Sequence, residues 1–301
     1  MIISASRRTD IPAFYGKWFL ERLRAGFAYV RNPFRPRQVT RVELHPELVD
    51  CIVFWTKNPA PLLSDLDSIT DLGYNFYFQF TLTPYDRTIE GNLPEKKVLV
   101  RTFQELAARI GPARVVWRYD PIILSEDLTI AKHVELFAQL AAELKDSCER
   151  CVISFLDFYA KTKRNTRGLG FLPIGPEDME VLGRELAAVA RSAQMEICTC
   201  SEAVDLSPWG VKPGKCIDDE LVSRITGRSL SLKRDRNQRA SCGCVESIDL
   251  GAYNTCLHQC RYCYANADHA AAKANWTRHD PAAPLLHGRT SPQDEIRVRR
   301  A

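Results

Sequence analysis

Short apolar or β-branched runs alternate with longer helical periodicities along most of this chain. The runs Ile2–Ala5, Cys51–Thr56, Phe76–Leu82, Arg114–Arg118, Cys151–Leu156, Glu196–Thr199 and Ser247–Leu250 predict strands, because strands of a parallel sheet are covered on both faces and read as near-continuous hydrophobic segments. Between them, Val98–Ile110, Ile130–Leu144 and Asp178–Ser192 predict helices. In Ile130–Leu144 the residues Val134, Phe137, Leu140, Ala141 and Leu144 make one buried stripe, with Asp127 ahead of it as a cap. Phe27–Arg41 carries Pro33 and Pro36 between two apolar runs and reads as an inserted hairpin or loop; no internal repeat is visible.

Strand and helix in alternation predict an α/β fold, a (β/α) barrel that is partial or complete. In such a fold the residues just past the strand ends face the active site. Those endings are polar here: Ser6, Arg7, Arg8 and Asp10; Lys57 and Asn58; Thr83 and Tyr85; Arg118, Tyr119 and Asp120; Asp157 and Tyr159; Cys200, Ser201 and Glu202. Six polar endings in succession predict a polar pocket.

Composition adds limits. The 301 residues are 45% hydrophobic and 26% charged, as in ordinary globular proteins. A net charge of +4 is too small to imply a nucleic-acid partner. The first residues lack the charged and apolar regions of a signal peptide, and no apolar run is long enough to span a bilayer. Eleven cysteines in such a chain point to a reducing cytoplasm and metal ligation.

Three of those cysteines, Cys256, Cys260 and Cys263, stand in the run Cys-Leu-His-Gln-Cys-Arg-Tyr-Cys-Tyr-Ala-Asn, with Tyr262 immediately before the last thiol. Three thiolates on one short loop suit three irons of a [4Fe–4S] cube and leave the fourth iron open. A structural zinc wants four ligands, commonly in C-x2-C-like pairs, and the three-residue gap fits it poorly. Buried spectator thiols explain scattered cysteines, not three within eight residues.

The C-x3-C-x-aromatic-C loop resembles that of the radical S-adenosylmethionine superfamily, and Cys-Arg-Tyr-Cys-Tyr-Ala is similar to its spore photoproduct lyase branch. The span from Ser4-Ala5-Ser6-Arg7-Arg8-Thr9-Asp10 to Tyr262-Cys263-Tyr264-Ala265-Asn266 also resembles a bacterial group known as domain of unknown function 1848. The superfamily resemblance implies that S-adenosylmethionine chelates the open iron and is cleaved to a 5′-deoxyadenosyl radical. It implies that Tyr262 packs beside cluster or adenine, and that a reducing partner such as flavodoxin or ferredoxin supplies the electron. In the superfamily the loop follows the first barrel strand near the amino end. Here it lies near the carboxyl end, which implies a circular permutation with Ser247–Leu250 as that strand, Asp268–Asn275 as its helix and Ile2–Ala5 as the next strand. Ser6–Asp10 then adjoins the strand that carries the loop. The superfamily's Gly-Gly-Glu-like cofactor turn is replaced by Ser-Arg-Arg-Thr-Asp, so Arg7, Arg8, Asp10, Arg118 and Asp120 become the candidate cofactor-binding residues. For Arg118 and Asp120 a simple ion pair at the mouth is the alternative.

A second group comprises Cys200, Cys216, Cys242 and Cys244, with Cys198 as a substitute ligand. Four thiolates make a closed set, suited to a second [4Fe–4S] cluster or a structural zinc. Cys51 and Cys151 read as small buried hydrophobes. His258 reads as solvent-facing. Lys233–Arg239 reads as a solvated loop. The resulting division is a barrel body over residues 1–199 with the hairpin at about 27–43, a cysteine-bearing insertion over 200–245, the permuted strand, loop and helix over 246–276, and an extended tail over 277–301 docked by Leu285 and Leu286. The expected function is radical chemistry on a small-molecule, peptide or nucleic-acid substrate. Nucleic-acid lesion repair by the same chemistry is one alternative. A noncatalytic iron–sulfur electron-transfer protein or a structural zinc protein is the other.

Overall fold

The computed structural model describes residues 1–299. Eleven strands run in chain order: β1 (Ile2–Ala5), β2 (Phe27–Arg31), β3 (Gln38–Glu43), β4 (Cys51–Thr56), β5 (Phe76–Thr81), β6 (Val115–Ile122), β7 (Arg150–Phe155), β8 (Glu196–Thr199), β9 (Lys212–Pro213), β10 (Ile248–Asp249) and β11 (Glu295–Arg299). Eight of them form one sheet in the order β10-β1-β4-β5-β6-β7-β8-β9. Every neighbouring pair in it is parallel. From β1 to β9 each new strand of this sheet is added on the same side, as right-handed β-α-β crossovers build it. The fold is therefore α/β with a large parallel sheet. Among the described residues no ladder joins β9 to β10.

Period-two alternation gives the sheet two different faces. Ile52, Phe54, Phe78, Trp117 and Ile153 pack into the larger core with helices Lys96–Ile110, Ile130–Leu144 and Pro176–Ser192. Val53, Tyr77, Val116 and Val152 point the other way, into a smaller core shared with Cys216, Cys242 and Cys244. Two residues further along the same strands, that second face carries Trp55, Gln79, Arg118 and Ser154, and just past β8 it carries Cys200. The carboxyl ends of the strands thus carry a polar layer above an apolar floor.

β10 lies beside β1, with Ile3 level with Ile248 and Ser4 level with Asp249. The seam is sealed by the Asp249 carboxylate, which accepts from Ser4 Oγ (2.9 Å), Ser6 Oγ (2.7 Å), Arg7 N (2.8 Å), Arg8 Nε (3.1 Å) and Gly251 N (3.0 Å). Gly251 is fixed by close approach: a Cβ there would stand 1.9 Å from Ser6 Oγ and 2.9 Å from Thr9 Oγ1. Gly251→Ala is expected to prise the seam apart and cost about 1–3 kcal/mol, the range for overpacking. A urea midpoint equal to that of the parent would contradict this reading of the seam.

Several expectations are corrected. The helix Ile130–Leu144 is capped by Thr129, whose side chain accepts from Lys132 N, and not by Asp127. The Arg114–Arg118 strand extends to Ile122. Tyr119 does not line the polar layer: it lies in the larger core, with its Oη 2.8 Å from His133 Nδ1. Tyr85 is buried too, donating to Pro121 O at 2.7 Å, with its ring edge-on to Tyr262 at 6.2 Å. The inserted segment is a hairpin of β2 and β3. The tail docks on it: Leu285 and Leu286 are buried, Tyr29 N donates to Pro284 O at 2.9 Å, and β11 adds in parallel to β3. Residues 300 and 301 of the tail lie outside the described residues. No helix among the described residues is long and apolar enough to cross a membrane.

Candidate functional site

The loop after β10 carries Cys256, Cys260 and Cys263 and is clamped from three sides. Thr9 Oγ1 meets Thr255 Oγ1 at 2.7 Å and Tyr15 Oη donates to Thr255 O at 2.8 Å. Cys260 pairs through its backbone with Glu90, and Arg261 N donates to Ile89 O at 2.9 Å. Asn266 Nδ2 closes the loop on Cys256 O at 2.7 Å. Gln259 takes a left-handed turn, φ 59°, just before the second cysteine, a conformation that costs a non-glycine residue energy and is retained where its surroundings enforce it.

The three thiols lie near enough for the charge of one to act on the others. Backbone N–H groups are aimed at the sulfurs: Ala265 N lies 3.3 Å from Cys263 Sγ, with Asn266 N beside it, and His258 N and Asp10 N serve Cys256 Sγ. Burial pushes all three thiols up, opposed at Cys260 and Cys263 by Lys57.

Beneath Tyr262 lies Glu90, whose side chain is 1% exposed. Its carboxylate accepts from Lys57 Nζ (2.7 Å), Thr83 Oγ1 (2.7 Å), Tyr262 Oη (2.5 Å) and Lys96 Nζ (2.5 Å). Burial alone would favour the neutral acid, but Lys57 and Lys96 outweigh it and hold Glu90 down to about 2. Lys57 Nζ also stands 5.6 Å over the Tyr262 ring, a cation–π contact.

His258 is corrected from an exposed residue to a buried one, 3% exposed, with Nε2 2.6 Å from Asp10 Oδ2. Asp10 also accepts from Lys57 N at 2.7 Å and caps helix Ile11–Phe14 through Ala13 N at 3.0 Å. Arg8 is engaged by Asp249 and stacks over Tyr253. Asp10 and Arg8 are thus tied into the scaffold under and beside the loop. Arg118 is ion-paired with Asp120, which also accepts from Ser154. Arg7 keeps a donor to spare: its Nη2 is buried without a hydrogen-bond partner among the described residues.

The second cysteine group gathers at the end of β8. Cys200 Sγ and Cys216 Sγ are 3.2 Å apart, Cys216 N lies 3.3 Å from Cys244 Sγ, and the Cys242 thiol is hydrogen-bonded to that of Cys244. Cys216 is pinned by its carbonyl, which accepts from Tyr77 Oη (2.7 Å) and Gln79 Nε2 (2.8 Å). Its sulfur accepts from Arg118 Nη1 at 2.8 Å. The chain must approach closely here, since a Cβ at Gly214 would lie 2.7 Å from Thr199 O. Cys198 stays outside the group, acted on by Glu196, Arg150, Lys212 and Asp218. Among the described residues no group of three or more His, Cys, Asp or Glu converges as a ready site for a single metal ion; the four thiols pack side by side. Cys51 and Cys151 are buried in the cores. The basic stretch is tethered: Arg234 Nε donates to Cys242 O at 2.8 Å and Arg239 pairs with Asp157 at 2.6 Å.

Glu202, past β8, accepts from Phe155 N at 3.1 Å and is pushed up to about 7, by burial first and then by Asp157 and Asp120. A carboxyl raised on folding favours the folded state below its unfolded value near 4.5, and that contribution is lost as pH rises through about 7. Glu202→Gln is therefore expected to flatten the fall in stability between those two values. Parallel urea midpoint–pH curves for parent and variant would count against it.

Sequence reasoning missed Asp249, Trp55 and Glu90. Asp249 was legible by strand parity with Ile248; Glu90 sits in an irregular loop with no periodic signal. Comparison with known proteins adds the family. No curated protein matches. A solved structure, that of a candidate alpha-L-fucosidase from Bacteroides thetaiotaomicron, is similar at 9% identity over 76% of this chain and 83% of that one, with a TM-score of 0.28, a value that carries no argument. The profile of a domain of unknown function, DUF1848, matches residues 2–265 and so takes in both cysteine groups. The chain belongs to the DUF1848 family.

Proposed function

We propose that this protein is a radical S-adenosylmethionine enzyme whose [4Fe–4S] cluster is held by Cys256, Cys260 and Cys263. The observation that carries the reading is the loop itself: three neighbouring thiols, backbone N–H groups aimed at two of the sulfurs, and a lysine beside them. Such donors and such a cation suit thiolates bound to iron, whose charge they offset. These residues fit the group. With S-adenosylmethionine bound, the reduced cluster would supply one electron for cleavage of the sulfonium to methionine and a 5′-deoxyadenosyl radical.

The chain's own task is orientation and exclusion of water. Glu90 fixes the Tyr262 hydroxyl and so the angle of the ring beside the loop. Asp10 and His258 brace the loop from below. Arg7 offers a donor without a partner among the described residues, near Cys244 and Cys216 and the Tyr264 that follows the loop. We read the parallel sheet as the wall of a circularly permuted (β/α) barrel, because β10 precedes the loop yet lies beside β1. The second cysteine group is read as a closed metal site. A cytoplasmic setting with a reducing partner such as flavodoxin or ferredoxin goes with this chemistry.

The test is spectroscopic. Protein reconstituted without oxygen and reduced with dithionite should show a [4Fe–4S] electron spin resonance signal that changes shape on adding S-adenosylmethionine. An unchanged signal from fully loaded protein would favour the electron-transfer reading.

A further inference from the structure

We propose that the second cysteine group holds a [4Fe–4S] cluster rather than zinc, with Arg7, Trp55 and Arg118 as its hydrogen-bond donors. This rests on the reading of Cys200, Cys216, Cys242 and Cys244 as one closed metal site, and not on the radical chemistry of the first loop.

Two buried donors near these cysteines, Trp55 Nε1 and Arg7 Nη2, lack a hydrogen-bond partner among the described residues. They are neighbours: the Arg7 guanidinium lies 5.3 Å from the Trp55 ring centroid, and that of Arg118 lies 5.1 Å from it. Trp55 packs against the core that contains Cys216, Cys242 and Cys244. Cys244 and Cys216 are among the charges acting on Arg7. Arg118 already donates to Cys216 Sγ at 2.8 Å. A buried donor without an acceptor loses its hydration for nothing, and folded proteins rarely leave two side by side.

The two candidate groups differ in the acceptors they bring. Zinc brings none beyond the four thiolates, which here already receive Arg118 and the backbone N–H groups of Cys216 and Ile217. An iron–sulfur cube adds sulfide sulfurs, which accept hydrogen bonds and respond to them in potential. Cys200 Sγ and Cys216 Sγ, 3.2 Å apart, stand closer than the roughly 3.8 Å between thiolates on one zinc, so either group must spread them. A cube spreads them furthest, beside the polar layer that holds Arg7 and Trp55. Cationic and N–H donors at that layer stabilise the reduced, more negative cluster and raise its potential.

The experiment uses the full chain with Cys256, Cys260 and Cys263 all replaced by alanine, so that only the second group remains. It is reconstituted without oxygen in iron and sulfide with zinc present in equal amount. The expected result is about four iron and four sulfide per chain, the content of one cube, with little zinc. In that background Trp55→Phe, which keeps the ring and removes the N–H, and Arg7→Gln should each lower the midpoint potential, making the cluster at least tenfold harder to reduce, about 59 mV for one electron. Zinc without sulfide, failure to take up either metal, or a cluster whose potential is the same in parent, Trp55→Phe and Arg7→Gln would each overturn the proposal. Because the three thiols of the first loop are absent, failure of S-adenosylmethionine chemistry in the intact protein leaves this result untouched.

Discussion

Cys260→Ala is expected to abolish cleavage of S-adenosylmethionine while leaving metal in the second cysteine group. Cys260 is the most enclosed of the three loop thiols: it is buried, whereas Cys256 and Cys263 are half-buried. Its backbone is already fixed by pairing with Glu90, so the loop keeps its course when the sulfur is lost and two thiols remain where a cube needs three. Iron content should therefore fall by the share of one site, and 5′-deoxyadenosine should drop to the level seen without protein. Iron analysis and chromatography of the nucleoside read the two effects separately. Loss of all iron from a variant that still unfolds cooperatively would reject two separate sites, and retained cleavage would reject this loop as the site.

The second large effect is on stability. Glu90→Ala removes the one carboxylate shared by Lys57 and Lys96, whose side chains are 13% and 27% exposed, and takes the acceptor from Tyr262 and Thr83. Breaking a buried pair by deleting one partner costs about 3–5 kcal/mol, because the remaining charge has lost its water and gained nothing. The urea midpoint should fall accordingly, and Glu90→Gln, which keeps an acceptor of the same shape, should fall less. The sign with pH follows from a carboxyl held down on folding. Its contribution is present above the unfolded value of 4.5 and is lost as pH falls through about 2. The advantage of the parent over Glu90→Gln should thus shrink between those two values. A Glu90→Ala midpoint equal to that of the parent would show that the buried charges find other partners.

How much of this was legible depends on whether the signal was local. Cys51–Thr56, Phe76–Thr81 and Glu196–Thr199 announce themselves as apolar runs because both faces of the sheet are covered. Parity was readable too: Tyr119 is in step with Val115 and Trp117, which place it on the helix face, although its polar tip suggested a place in the pocket. Helix Asp219–Thr226 was also within reach, since Asp218 caps it and Asp219 and Glu220 fill its first turn. β9 and β11 were not, because two residues, or five exposed ones, become strands only through the neighbour they meet.

The polar contacts of the site were the least legible. His258 lies in a loop of polar composition, and the partner that buries it, Asp10, is 248 residues away in sequence. Glu90 is unremarkable until the fold brings Lys57, Lys96 and Tyr262 to it. The cysteines could be grouped by spacing alone, but not the orphaned donors of Arg7 and Trp55, whose meaning depends on what surrounds them.

Adding S-adenosylmethionine and dithionite to protein reconstituted without oxygen, and measuring 5′-deoxyadenosine against the Cys256, Cys260 and Cys263 alanine variants, decides whether these thiols hold a radical-generating cluster. The nucleoside should form with the parent and with none of the three. No nucleoside from a parent fully loaded with iron and sulfide would contradict that assignment.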